Sequence, residues 1–141
     1  AAWIAATGGL DAPVWPLCLG VLLWVAGFDL IYAAQDEEFD RREGLHSLVV
    51  TLGTPRALRL AGRLHGVAFL CLAAFGWLAE LGTPYTLALA GIAAALLFEH
   101  RIVARLDPAR PDPALLQNAF FASNAAVGTL FLAGTVAGSL V

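Results

Sequence analysis

Ala12-Pro13-Val-Trp-Pro-Leu-Cys18-Leu-Gly-Val-Leu-Leu-Trp24-Val-Ala-Gly27-Phe-Asp29-Leu-Ile-Tyr32-Ala-Ala-Gln35 carries one charge, Asp29, along a run long enough to cross a bilayer as a helix. Pro13 suits the first turn of that helix. Toward the C-terminus the run meets Asp36-Glu37-Glu38-Phe39-Asp40-Arg41-Arg42-Glu43-Gly44-Leu45-His46-Ser47, where both charge signs crowd together. An apolar span that stops at such a patch has reached a membrane surface. The fold is therefore expected to be all-α, a polytopic transmembrane helix bundle.

Composition agrees over the whole chain. Of 141 residues, 60% are hydrophobic and 13% charged, and mean hydropathy is +0.77. Water-soluble globular domains lie well below that. The net charge of −3 says less than the placement of the charges. Cys18 and Cys71 stand alone in apolar runs and are expected as buried free thiols rather than a disulfide or metal pair. One membrane domain over 1–141 follows, with spans at about 13–36, 57–80, 84–105 and 113–139 and a partial one at 1–7. Ala1-Ala2-Trp3-Ile4 reads as the tail of an apolar helix, and no Met is present. The chain is thus expected to be the C-terminal part of a longer protein. Val49-Val50-Thr51-Leu52, set between Gly44 and Gly53-Thr54-Pro55, is expected as a short helix or turn over the membrane surface.

All eight basic residues are arginines, at 41, 42, 56, 59, 63, 101, 105 and 110. They fall in the connections after the first and third complete spans, and the turns at Gly8–Asp11 and Glu80–Pro84 have none. The positive-inside rule puts the arginine-bearing connections in the cytoplasm. A multi-pass protein of the inner (plasma) membrane is expected, with the acidic motif on the cytoplasmic side and lipid rather than nucleic acid around it.

As one continuous helix, Asp29, Tyr32, Asp36 and Asp40 would form a single stripe. Asp36 and Asp40, one turn apart, repel each other, and either basic neighbours or a hard cation such as Mg²⁺ would offset that. Two readings stand for this pair: metal ligands, or a solvated helix end with local ion pairs to Arg41 and Arg42. Asp29 is either a hydrogen-bonded residue inside the bundle or the lining of a polar cavity. Arg41 and Arg42 fit a forked grip on a phosphate or carboxylate, or headgroup anchoring. His46 and Ser47 fit binding of a substrate anion, or a cap or turn. Glu37, Glu38 and Glu43 read as surface charges. Gln117, Phe121, Asn124 and Gly128 share a face, with interhelical hydrogen bonds expected of the amides and cavity lining as the other reading. His65 and His100 are expected to be structural, and Glu99 to stand alone. Gly134-xxx-Gly138 and Gly62-xxx-Gly66 match the small-residue contact pattern, expected to serve packing within the bundle.

Asp29-xx-Tyr32-Ala-xx-Asp36-xxx-Asp40, followed by Arg42-x-Gly44-x-His46-Ser47, resembles the second aspartate-rich motif of the UbiA-type membrane prenyltransferases. The later spans and Asn118-Ala-Phe-Phe-Ala-Ser-Asn124 are similar to that family's C-terminal part. The resemblance implies a nine-span bundle, of which this chain is roughly half. It also implies transfer of a prenyl chain from a polyprenyl diphosphate to an aromatic acid such as 4-hydroxybenzoate, in quinone biosynthesis. Asp36 and Asp40 would then bind Mg²⁺ and, with Tyr32, act at the reacting centre. Asp29, Arg41, Arg42, His46, Ser47 and Asn124 would face the substrates. The family's first aspartate-rich motif, NDxxDxxxD, is absent here, so this chain alone is expected to be inactive without the missing N-terminal half. Position 46 is His where ubiquinone-pathway members carry Lys, which keeps a naphthoate-type acceptor of menaquinone synthesis as an alternative. A transporter or proton relay is the alternative of another class; its ionisable groups would gather near the midplane on several helices.

Overall fold

The charged and glycine-bearing joints divide the chain into seven helices among the described residues, with no strand. The computed structural model describes residues 2–105 and 113–140, excluding the side chains of 2, 6 and 113–119. The helices are α1 (Ala2–Thr7), α2 (Val14–Ala33), α3 (Glu37–Arg42), α4 (Leu48–Leu52), α5 (Thr54–Leu78), α6 (Gly82–Arg105) and α7 (Pro113–Gly138). Four of them, α2, α5, α6 and α7, are long and apolar enough to cross a membrane. Arg110, Asp107, Asp112 and the Gln117 side chain lie outside the described residues.

The charged connection is shorter than the sequence suggests. α5 starts at Thr54, so Arg56, Arg59 and Arg63 ride its first turns, all exposed, and Val49 of α4 is fully buried beneath the surface layer. Arginines near a helix end can run their stems along the bilayer edge and leave the guanidinium in water. Arg101 and Arg105 occupy the last turns of α6.

The bundle is two antiparallel pairs. α2 packs along α5, α6 packs along α7, and the α5–α6 contact joins them. Three layers fill it. Leu30, Ile31, Val49, Ala57, Ala61, Val103 and Phe120 pack at the arginine-bearing end. Ile92, Leu96 and Val127 pack at middle depth, and Phe75, Leu81 and Tyr85 at the far end. The far end is also tied by a polar bond, Tyr85 donating its hydroxyl to the Leu72 carbonyl at 2.9 Å. Small residues bring the helices close. A Cβ on Gly134 would sit 2.4 Å from the Ala88 Cβ, and one on Gly138 would sit 2.4 Å from the Leu81 carbonyl oxygen. Gly134-xxx-Gly138 is thus the α6-facing seam of α7. Gly66 faces open space, with nothing within 4 Å of a Cβ there, so the other glycine pair is not a close seam.

Candidate active site at the α2–α3 elbow

The first aspartate-bearing helix does not run on. α2 ends at Ala33, Ala34 and Gln35 turn, and Asp36 stands as the residue before α3, at φ −101° and ψ 5°. The single stripe expected for Asp29, Tyr32, Asp36 and Asp40 is therefore broken into two pieces. The helix dipole supplies the reason. Continued, α2 would place Asp36, Glu37, Glu38 and Asp40 at a C-terminus, where negative charge is unfavourable. Restarted, Glu37, Glu38 and Asp40 occupy the first turn of α3 and Arg41 and Arg42 its last, each sign at its favoured end.

Within α3 the basic residues are already paired. Arg41 donates to Glu37 at 2.6 Å and Arg42 pairs with Glu38, both at four-residue spacing. Local ion pairs from Arg41 and Arg42 to Asp36 and Asp40 do not form; the arginines take the glutamates instead. Glu37 does more than sit on the surface. Its Oε2 accepts from the Thr54 backbone N–H at 2.9 Å and from the Thr54 hydroxyl at 2.5 Å, so it fastens α3 to the start of α5. The Thr54 hydroxyl first, then Arg41, holds the Glu37 carboxyl below its ordinary value.

What remains is an acidic pair without protein partners among the described residues. The Asp36 carbonyl accepts from the Asp40 N–H at 2.8 Å, so the two residues are one turn apart. Asp36 is exposed and Asp40 partly so. Two carboxylates whose neighbouring cations are occupied elsewhere offer hard anionic oxygens, the donor set Mg²⁺ takes.

Beyond α3 the chain turns back over the site. Gly44, at φ 68°, allows the Leu45 N–H to reach the Asp40 carbonyl at 2.8 Å, a close that a side chain at position 44 would strain. His46 is exposed. Ser47 precedes α4 and its Oγ accepts from the Val50 N–H at 3.1 Å, so the cap role holds, while its own proton stays available to donate. Gly53, at φ 76°, starts α5. Asp29 and Tyr32 both lie on exposed parts of α2. Asp29 lines an open depression of about 330 Å³, shared with Ala26, Leu30, Ala33, Leu48, Val49, Leu60 and Leu64. The Tyr32 ring leans on Phe28 at 5.9 Å. Asn124 makes no interhelical bond among the described residues; its amide donates to the Phe120 carbonyl of its own helix at 3.0 Å.

Residues 1–125 match the UbiA prenyltransferase family. The chain belongs to that family. It is 31% identical over 142 residues to the 4-hydroxybenzoate solanesyltransferase of Synechocystis sp., covering 98% of this chain and 46% of the relative. It is 32% identical over 135 residues to the 4-hydroxybenzoate octaprenyltransferase of Aeromonas hydrophila, covering 96% and 45%. The corresponding figures for the Pseudomonas aeruginosa 4-hydroxybenzoate octaprenyltransferase are 34% over 136 residues, 96% and 44%. The chain thus spans less than half the length of these curated relatives. No solved structure matches it.

One polar group in this UbiA-family chain escapes the sequence reading. His65 of α5 and Glu99 and His100 of α6 are not separate structural residues but neighbours, their ligand atoms all within 4.8 Å of one another. Residues 34 and 35 positions apart carry no spacing signal. The available hint was an ionisable side chain inside each of two apolar spans.

Proposed function

We propose that the protein transfers a polyprenyl group from a polyprenyl diphosphate to the ring of 4-hydroxybenzoate, with Asp36 and Asp40 holding Mg²⁺ at the cytoplasmic membrane surface. The observation that carries the reading is the α2–α3 elbow. It leaves two carboxylates one turn apart without cationic partners while Glu37 and Glu38 engage the arginines. Family membership supplies the reaction class, and the relatives named for 4-hydroxybenzoate supply the acceptor.

Bound there, Mg²⁺ would neutralise charge on the departing diphosphate. The chain's own residues supply the rest. Asp36 and Asp40 would hold the ion. Arg41 and Arg42 keep unused N–H donors after pairing with glutamate, enough to meet phosphate oxygens beyond the metal. His46 and the Ser47 hydroxyl stand where the chain folds back, as further donors to the same anion. Asp29 and Tyr32 lie deeper on α2, and Asp29 lines the largely apolar depression where the prenyl chain and acceptor would sit. The acids gather at one end of the bundle beside arginines, which suits anchoring a diphosphate at the surface better than relaying an ion through the midplane. A segment outside these 141 residues, as the greater length of the relatives suggests, would supply the facing wall, so this stretch alone should not turn over.

The test is an assay of the full-length protein in lipid nanodiscs with a polyprenyl diphosphate and either 4-hydroxybenzoate or 1,4-dihydroxy-2-naphthoate. Prenylated 4-hydroxybenzoate, abolished by EDTA and restored by Mg²⁺, is the expected product. Transfer to the naphthoate alone, which His46 keeps in view, would replace the acceptor; transfer unaffected by EDTA would remove the metal.

A further inference from the structure

The His65–Glu99–His100 cluster holds three ligating side chains around one point, on α5 and α6, apart from the α3 acids. Glu99 is 0% exposed, and neither of its oxygens has a hydrogen-bond partner among the described residues. A buried carboxylate in an apolar span is costly, and it needs a partner of opposite charge or a donor on each oxygen. Protonation alone does not satisfy it: the acid's O–H would have one acceptor in reach, His65 Nδ1 at 3.5 Å from Oε1, and the second oxygen would still lack a donor.

His65 shows which lone pairs are free. Its Nε2 lies 3.1 Å from the Trp24 carbonyl oxygen, which can only accept, so Nε2 carries the proton and Nδ1 presents a lone pair. Gly27 makes that reach possible: a Cβ there would sit 2.4 Å from the imidazole Cδ2. A histidine that donates one ring N–H to a backbone carbonyl and turns the other nitrogen inward has the outer-shell support typical of metal-ligating imidazole. Nδ1 of His65 lies 3.0 Å from Nε2 of His100 and 3.5 Å from Oε1 of Glu99. Ligands about 2.0–2.1 Å from a tetrahedral ion stand about 3.3–3.4 Å from one another. The two separations from His65 bracket that edge length, and the Glu99 and His100 ligand atoms, within 4.8 Å of each other, would draw together on a bound ion.

We propose that His65, Glu99 and His100 bind a divalent transition ion of the zinc class, clamping α5 to α6. Two imidazoles and one carboxylate suit such an ion, whereas Mg²⁺ prefers an all-oxygen shell. The ion offsets the Glu99 charge and takes both imidazole lone pairs at once. A simple His65–His100 hydrogen bond would leave Glu99 unsatisfied. Three protein ligands leave the fourth position open. His65 and His100 both line a cavity of about 250 Å³ with Gly62, Gly66, Phe69, Ala93, Leu96 and Leu97, so that position faces a space able to hold a water or a small ligand.

The protein, purified in detergent with a tag free of histidine and treated with a weak chelator, should retain about one zinc per chain by elemental mass spectrometry. Co²⁺ exchanged into the site should give the intense visible bands of a tetrahedral ion. Glu99→Gln and His100→Asn, each folded by circular dichroism and gel filtration, should lower Zn²⁺ affinity roughly tenfold or more and abolish those bands. A folded wild-type protein without zinc, an octahedral Co²⁺ spectrum, or bands unchanged in the folded variants would overturn the proposal. The wild-type Co²⁺ spectrum decides the matter even should a variant fail to fold. None of these readouts needs prenyl transfer, so the outcome is separate from that of the Asp36–Asp40 site.

Discussion

Glu37 shows how much one side chain sets at the elbow. It pairs with Arg41 inside α3 and takes two hydrogen bonds from Thr54 at the start of α5, so the acidic turn cannot swing away from the bundle without breaking both Thr54 bonds. Hydrogen bonds to a charged acceptor contribute about 1.5–3 kcal/mol when well made, and the partial exposure of this one favours the low end. Glu37→Gln should therefore lower the thermal midpoint of the purified protein, and by an amount that depends on pH. The native carboxyl is held below its ordinary value of 4.5. Its contribution is thus complete above the unfolded value and is lost as pH falls through the lower folded value. The midpoint gap between wild type and Glu37→Gln should be widest near neutrality and close in acid; a gap constant with pH would show that the charge plays no part. Ser47 was legible as a cap because its partner, Val50, is three residues away. Glu37 was not, because Thr54 lies seventeen residues on and only the fold brings it near.

The helices divide in the same way between what is local and what is not. The long apolar runs of α2, α5, α6 and α7 were readable from hydropathy, since a span of that length is set by the bilayer rather than by any one contact. The break between α2 and α3 was not readable in this way. Ala33-Ala34-Gln35 are good helix formers, and the break comes from where the acids sit relative to the helix dipoles rather than from a Gly or Pro. The histidine–glutamate cluster was invisible because it needs α5 and α6 side by side. Seams between helices give the firmest test at this scale. Gly134→Val places methyl groups where the Ala88 Cβ already lies 2.4 Å from a Cβ, and overpacking of this kind costs about 1–3 kcal/mol. Gly66, with open space around it, provides the control. Unfolding by sodium dodecyl sulfate should report a clear loss for Gly134→Val and little change for Gly66→Ala. Equal effects would refute the α6–α7 seam.

At the scale of the whole molecule, the seven described arginines all stand at the end where α3 and α4 lie, on α3, the first turns of α5 and the last turns of α6. By the positive-inside rule, that asymmetry is the ground on which we propose that the elbow faces the cytoplasm. In a variant whose native cysteines are replaced, a cysteine at position 82 should react with an impermeant maleimide added outside intact cells, and one at position 44 should not; the reverse pattern would invert the topology. The central claim, that the elbow acids hold the diphosphate through Mg²⁺, is tested most directly by substituting them one at a time. Asp36→Asn and Asp40→Asn keep shape and remove only charge, so both proteins should fold. Each should transfer prenyl groups at least about 100-fold more slowly, in the range seen when one electrostatic contact to developing charge is removed. Rates would be followed as a function of Mg²⁺ concentration, and half-saturation should shift upward in both variants. Wild-type turnover at saturating Mg²⁺ in either folded variant would contradict the account.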